Sequence, residues 1–230
     1  MSMQIEASAY DFPCTGELLP GNTALVVIDM QMDFCGEGGL SSIAGMDLAM
    51  MREPIAPLAA VLRAARRVGM TVIYTREGHR ADESDLTAVK RFRSRLGGAG
   101  VGDRSPIGRI LIRGEPGHAI IPELAPQEGD AIIDKVGSGC FYGTEMEHLL
   151  RNRGIRNLIF TGVTTECCVH TSLREASDRG FDNLLLSDCT SGTTRALKAA
   201  ALAIIADPLT LFGTVSTSQA VIRALTELRP

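Results

Sequence analysis

The stretch NLIFTGVTTECCVHTSLREASDRG (157–180) reads as a buried strand running straight into an amphipathic helix. Its first seven residues, Asn157 to Val163, are almost continuously apolar, as a strand covered on both faces must be. From Cys168 the apolar positions recur at helical spacing until Gly180, where a left-handed C-cap would stop the helix and turn the chain back.

The same unit repeats in both directions along the chain. Apolar runs of strand length are TALVVIDM (23–30), MTVIYTRE (70–77), DAIIDK (130–135), NLLLSDC (183–189) and LTLFGTV (209–215). The segments IAPLAAVLRAARRVG, TEMEHLLRNRG, RALKAAALAIIAD and SQAVIRALTEL carry helical periodicity between and after them. Gly69 and Gly154 stand where Gly180 does, just before the next strand. Repeated strand–helix alternation predicts an α/β fold, a doubly wound (Rossmann-like) six-stranded parallel sheet with helices on both faces. A chain of 230 residues, 45% hydrophobic, is read as one domain over 1–230, with 1–20 as an N-terminal extension. Two stretches break the rhythm: FCGEGGLSSIAGMD after the first strand, and a long connection over 78–121 assigned to site-covering or subunit contacts.

Composition narrows the partners. A net charge of −4, with no run of Lys or Arg longer than Arg66-Arg67, gives no footprint for nucleic acid or anionic membranes. No apolar stretch is long enough to cross a bilayer and the start MSMQIEASAYDFPCTG is no signal peptide, so a cytoplasmic protein is expected. Six dispersed cysteines in a chain of this size are expected to be reduced thiols.

In an open parallel sheet, ligands bind beyond the carboxyl ends of the strands. Asp29 closes the first strand, Lys135 the third, and Cys168 follows the fourth at a helix start. A helix N-terminus and a nearby ammonium both favour thiolate over thiol, and a carboxylate could then hold the lysine and exchange protons. Each residue alone also has a structural reading: a packed Cys, an Asp that caps a helix, a solvated Lys.

Three segments, VVIDMQMDF around Asp29, IIDK ending in Lys135 and FTGVTTECCVHTSLREASDRG around Cys168, resemble the signature segments of the isochorismatase-like cysteine hydrolases over nearly the whole chain. The resemblance implies a catalytic triad of Asp29, Lys135 and Cys168. It makes Cys167 a packing residue, places a cis peptide between Val163 and Thr164, and forms an oxyanion hole from the N–H groups of Thr164 and Cys168. Members acting on nicotinamide carry a D-x-H metal-binding stretch that is lacking here, and the four histidines (His79, His118, His148, His170) are spread out, so neither metal nor cofactor is expected. The retained cysteine favours amide chemistry over vinyl-ether hydrolysis.

Within that family DMQMDFCGEGGL, YTREGHRADESDL, RILIRGEPGHAIIPEL and DKVGSGCFYGTEME look most like enzymes of the biuret hydrolase type, with ureidoacrylate and N-carbamoylsarcosine amidohydrolases close behind. The expected activity is attack of Cys168 on a small amide or ureido carbonyl, through a covalent acyl intermediate. Phe34, Glu77, Phe141 and Thr165 are expected to line the pocket; the two Phe residues also have a reading as core residues, and Glu77 one as an ion pair to an Arg. Pro208 stands near the place where biuret hydrolases carry a glutamine, so a carboxamide contact is expected to be missing. The resemblance and the Met-rich GMDLAMMREPI suggest a homo-oligomer, a tetramer. A catalytically idle scaffold subunit and a redox enzyme using Cys167 and Cys168 are the rival readings.

Overall fold

The apolar run of β1 (Thr23–Ile28) is buried at every residue because it is flanked on both edges by other strands and covered on both faces. The computed structural model describes residues 4–228. In chain order the elements after β1 are the short helices α1 (Met32–Cys35), α2 (Leu40–Ile43) and α3 (Leu48–Arg52), then α4 (Ile55–Arg67), β2 (Thr71–Glu77) and α5 (Ala88–Leu96). A two-residue hairpin follows, β3 (Arg104–Ser105) with β4 (Gly108–Arg109). The remainder is β5 (Ala131–Lys135), α6 (Met146–Asn152), β6 (Asn157–Val163), α7 (His170–Asp178), β7 (Asp182–Ser191), α8 (Arg195–Ala206), β8 (Thr214–Ser216) and α9 (Ser218–Glu227).

The main sheet has the order β5-β2-β1-β6-β7-β8, and all its neighbouring strands pair in parallel. Alternate residues feed two cores. Leu25, Val27 and Tyr74 pack with Leu58, Leu62 and Val221 of α4 and α9, whereas Val26, Ile28 and Phe160 pack with Leu150, Leu173 and Ile205 of α6, α7 and α8. Each such fully buried side chain contributes about 1.5–3 kcal/mol. The winding direction reverses between β1 and β6, which opens a crevice beyond their carboxyl ends. Gly69, Gly154 and Gly180 all have positive φ (70°, 68° and 78°) and end their helices as the sequence predicts.

One expectation is corrected and two are filled out. The long connection does cover the carboxyl end of the sheet, as expected, and does so with folded parts: α5, the β3–β4 hairpin and a 3-10 turn (Pro116–His118). It is fastened to α1 by the buried Asp33 carboxylate, which accepts the Leu111 N–H at 2.8 Å. The final strand is only 214–216, since Leu209 and Leu211 are exposed in the turn before it. The N-terminal extension is built into the sheet, with Ser8 bridging antiparallel to Val215 of the edge strand and Ile5, Phe12 and Leu18 fully buried. No helix among the described residues is long and apolar enough to cross a membrane.

Candidate active site

Three parallel strands set the floor of the site. Register places Glu77, the last residue of β2, beside Lys135, the last residue of β5, and Asp29 follows β1 next door. Asp29 takes a left-handed backbone (φ 48°), its N–H donating to the Thr75 carbonyl at 3.2 Å. Its carboxylate accepts the Thr75 hydroxyl at 2.6 Å and pairs with the Lys135 ammonium at 2.7 Å, both side chains fully buried. Lys135 also donates to the Gly137 and Ser138 carbonyls at 2.9 and 3.0 Å and lies 3.4 Å from Glu77. Gln31 locks the ends of β1 and β2 together, accepting the Glu77 N–H at 2.7 Å and donating to the Glu77 carbonyl at 3.0 Å.

Two carboxylates thus share one lysine, and their environments drive them apart. Burial raises Asp29 above the usual carboxylate range, against the pull of Lys135 and with a push from Glu77. Burial acts on Glu77 too, but Lys135 and Lys90 together hold it down to about 2. Lys90 donates to Glu77 at 2.6 Å. Lys135, which burial alone would lower, is held well above its ordinary value by Asp29, Cys168 and Glu77. Glu77 is therefore the fixed anion, and Asp29 the carboxylate whose affinity suits it to move protons.

Cys168 enters from β6. After the Val163–Thr164 peptide, which is cis, residues 165–169 form a wide helical turn that runs into α7 and aims the Cys168 side chain at the strand ends. The Cys168 thiol donates to Glu77 Oε2 at 3.4 Å, and single ligand atoms of Asp29, Glu77 and Cys168 all lie within 4.8 Å of one another. The structure thus brings Asp29, Lys135 and Cys168 into one cluster. The resting thiolate expected from the helix start is corrected, however. Contact with the adjacent Cys167 and burial push the Cys168 thiol well up, outweighing Lys135, while Cys167 is pulled down to about 6 by that same contact with Cys168. The contact between the two sulfurs therefore favours the thiol at Cys168 and the thiolate at Cys167.

Above this floor lies a cavity of about 310 Å³, at the small end for a ligand site. Phe34, Glu77, Thr164 and Cys168 line it. Phe141 and Thr165 do not. Phe141 is a core residue packed on Phe181 and under the Arg179 guanidinium, and the buried Thr165 hydroxyl is spent on Thr190 at 2.9 Å. Glu77 pairs with two lysines and not with an arginine. Cys167 is no packing residue: it is exposed and stands at the cavity mouth near the Ser138 hydroxyl. Pro208 lies in the turn that precedes β8, at the amino end of the sheet, so a residue there cannot bear on this cavity. Within the Met-rich segment Met50 and Met51 sit in the core and Met46 in the cavity wall. Sequence reasoning missed Lys90, Thr75 and Gln31, which hold Glu77 and Asp29 in place.

Residues 23–220 match the Isochorismatase domain. The chain belongs to the isochorismatase family. The ureidoacrylate amidohydrolase RutB of Rhizobium rhizogenes is 37% identical over 184 residues, covering 75% of this chain and 72% of that protein. RutB of Azorhizobium caulinodans is 33% identical over 221 residues, covering 90% and 92%. A solved cysteine hydrolase from Pseudomonas syringae superposes with a TM-score of 0.78 at 28% identity, covering 91% of this chain and 94% of that one. This chain is a hydrolase of that family.

In this isochorismatase-family site, Asp29, Glu77 and Cys168 form the only group of potential metal ligands close enough to share an ion among the described residues. The Lys135 ammonium contacts both carboxylates and already supplies the positive charge there. A larger cavity of about 640 Å³ lies at the opposite end of the sheet, lined by Tyr10, Cys14 and Asp182 among others. Its acid is occupied, since Asp182 accepts the Tyr10 hydroxyl and the Cys14 N–H.

Proposed function

We propose that this chain is a cysteine amidohydrolase that cleaves a C–N bond of a small ureido or carbamoyl compound through a covalent Cys168 intermediate. The observation that carries this reading is the meeting of Cys168, Lys135 and two carboxylates of unlike proton affinity on the floor of one small cavity. The names carried by the relatives support the ureido class.

Asp29 takes the Cys168 proton as the thiol attacks, and the Lys135 ammonium steadies the sulfur anion that forms. The carbonyl oxygen gathers charge and is received by the N–H groups of Thr164 and Cys168. Loss of one such donor costs about 10²–10³ in rate. Asp29 then hands its proton to the departing ammonia or amine, leaving a thiocarbamate or thioester on sulfur. Water, deprotonated by the same carboxylate, releases the product and restores the thiol. Glu77 keeps its charge throughout and holds Lys135 and the resting thiol in line.

An ammonia-release screen over biuret, ureidoacrylate, carbamoyl amino acids and nicotinamide, with Cys168→Ser as the blank, tests the proposal. Release from ureido or carbamoyl compounds by the wild type alone supports it. Release from none of these compounds, or equal release by the variant, overturns it.

A further inference from the structure

Helix α5 carries four cations, and three of them are neutralised: Lys90 by Glu77, Arg91 by Glu83 and Arg95 by Asp103. Arg93 has no ion-pair partner among the described residues, yet it lines the cavity above Cys168 together with Lys90 and Ser94. Positions 90, 93 and 94 share one face of a helix, so α5 presents that face to the cavity while Val89, Phe92 and Leu96 are exposed.

Of the other charges in the cavity wall, Glu77 and Lys90 are ion-paired and Glu166 is hydrogen-bonded through one oxygen. Glu77 is bound by Lys90 and Lys135. Glu166 is turned onto residue 193, its Oε1 accepting the Thr193 N–H at 2.8 Å and the Thr193 hydroxyl at 2.6 Å, while its Oε2 is buried without a hydrogen-bond partner. Between mouth and floor the wall is apolar, with Phe34, Leu40, Met46, Val101 and Leu111. The cavity thus has a nucleophile at its floor, an apolar throat and one uncommitted guanidinium at its rim.

We propose that Arg93 is an anion anchor, and that the substrate is a ureido acid: a ureido carbonyl at Cys168, a short apolar middle and a carboxylate held at Arg93. This rests on the hydrolase reading above for the chemistry at the floor. A guanidinium grips a carboxylate through two parallel N–H bonds, an interaction that an uncharged ligand such as biuret cannot return.

Calorimetric titration of the full chain carrying Cys168→Ser, which lacks the nucleophile, tests the anchor directly. The ligands are 3-ureidopropionate, its methyl ester and biuret, measured with and without Arg93→Gln and Arg93→Lys. The acid is expected to bind about tenfold or more tightly than the ester, as a charged hydrogen bond allows. Arg93→Gln should weaken the acid by at least about tenfold and the ester by less than about twofold, and Arg93→Lys should recover part of the loss. Equal binding of acid and ester, no binding of the acid, or an unchanged acid affinity in Arg93→Gln overturns the anchor. Binding of the acid that depends on Arg93, with no ammonia released by the wild type, would instead overturn the hydrolase reading and leave the anchor standing.

Discussion

At the scale of single residues, the site depends on which group holds which proton. Because Asp29 must be ionised to accept the thiol proton and burial raises it, the acidic limb of kcat/KM should fall above the ordinary carboxylate range near 3.8. A pH–rate profile checks this, and a limb at or below that value would contradict it. Asp29→Asn should lower kcat/KM by about 10²–10⁴, as for loss of a general base. Alkylation by iodoacetamide at pH 7 should strike Cys167 before Cys168, because Cys167 is exposed and ionises at about 6, and peptide mapping reads the order. Asp29, Lys135 and Cys168 were legible because each ends a strand or opens a helix. Glu77 ends YTRE as Lys135 ends IIDK, so the same rule could have placed it against the nucleophile. The contrast between Cys167 and Cys168 was not legible, because it depends on the phase of one helical turn.

At the scale of elements, β6 and the turn after it aim the nucleophile. Gly162 has φ 102° at a register break with β7, and a Cβ there would collide with the Ile28 carbonyl of β1. Gly162→Ala should therefore unfold the β1–β6 junction or lower the melting temperature by several degrees, measured by thermal denaturation. Phe141→Ala should cost about 3–5 kcal/mol of stability and leave the KM of the folded fraction unchanged, because the ring packs in the core and not on ligand. The strands and long helices were legible from their apolar periodicity. Helix α5 was not: its sequence AVKRFRSRL buries no residue, so it lacks the stripe on which such a reading depends. Its start was signalled only by Thr87, whose hydroxyl accepts the Lys90 N–H at 3.2 Å.

Taken whole, the molecule places an electrostatic cluster of opposing signs at the switch point of its sheet. Glu77, lowered in the fold from 4.5 to about 2, adds stability that is present above pH 4.5 and drains away as pH falls toward 2. Asp29 works in the opposite sense: its raised folded value favours the fold at low pH and costs stability as pH rises through that value. The stability difference between wild type and Glu77→Gln, from urea titrations, should accordingly narrow as pH drops from 4.5 toward 2. Lys135→Met should be the most damaging change in the cluster, about 3–5 kcal/mol, since it leaves two buried carboxylates without their shared cation. The doubly wound plan was legible from the order of strands and helices, whereas the N-terminal segment's place on β8 was not, because a short bridge such as Ser8 to Val215 leaves no periodic trace.

The most direct test of the central claim is intact-mass measurement of the protein, acid-quenched within milliseconds of mixing with a ureido compound it hydrolyses. The account predicts an added carbamoyl or acyl mass that peptide fragmentation assigns to Cys168, absent from Cys168→Ser, which should also lose at least about 10³ in rate. Undiminished turnover by Cys168→Ser, or an adduct found on Cys167 alone, would contradict it.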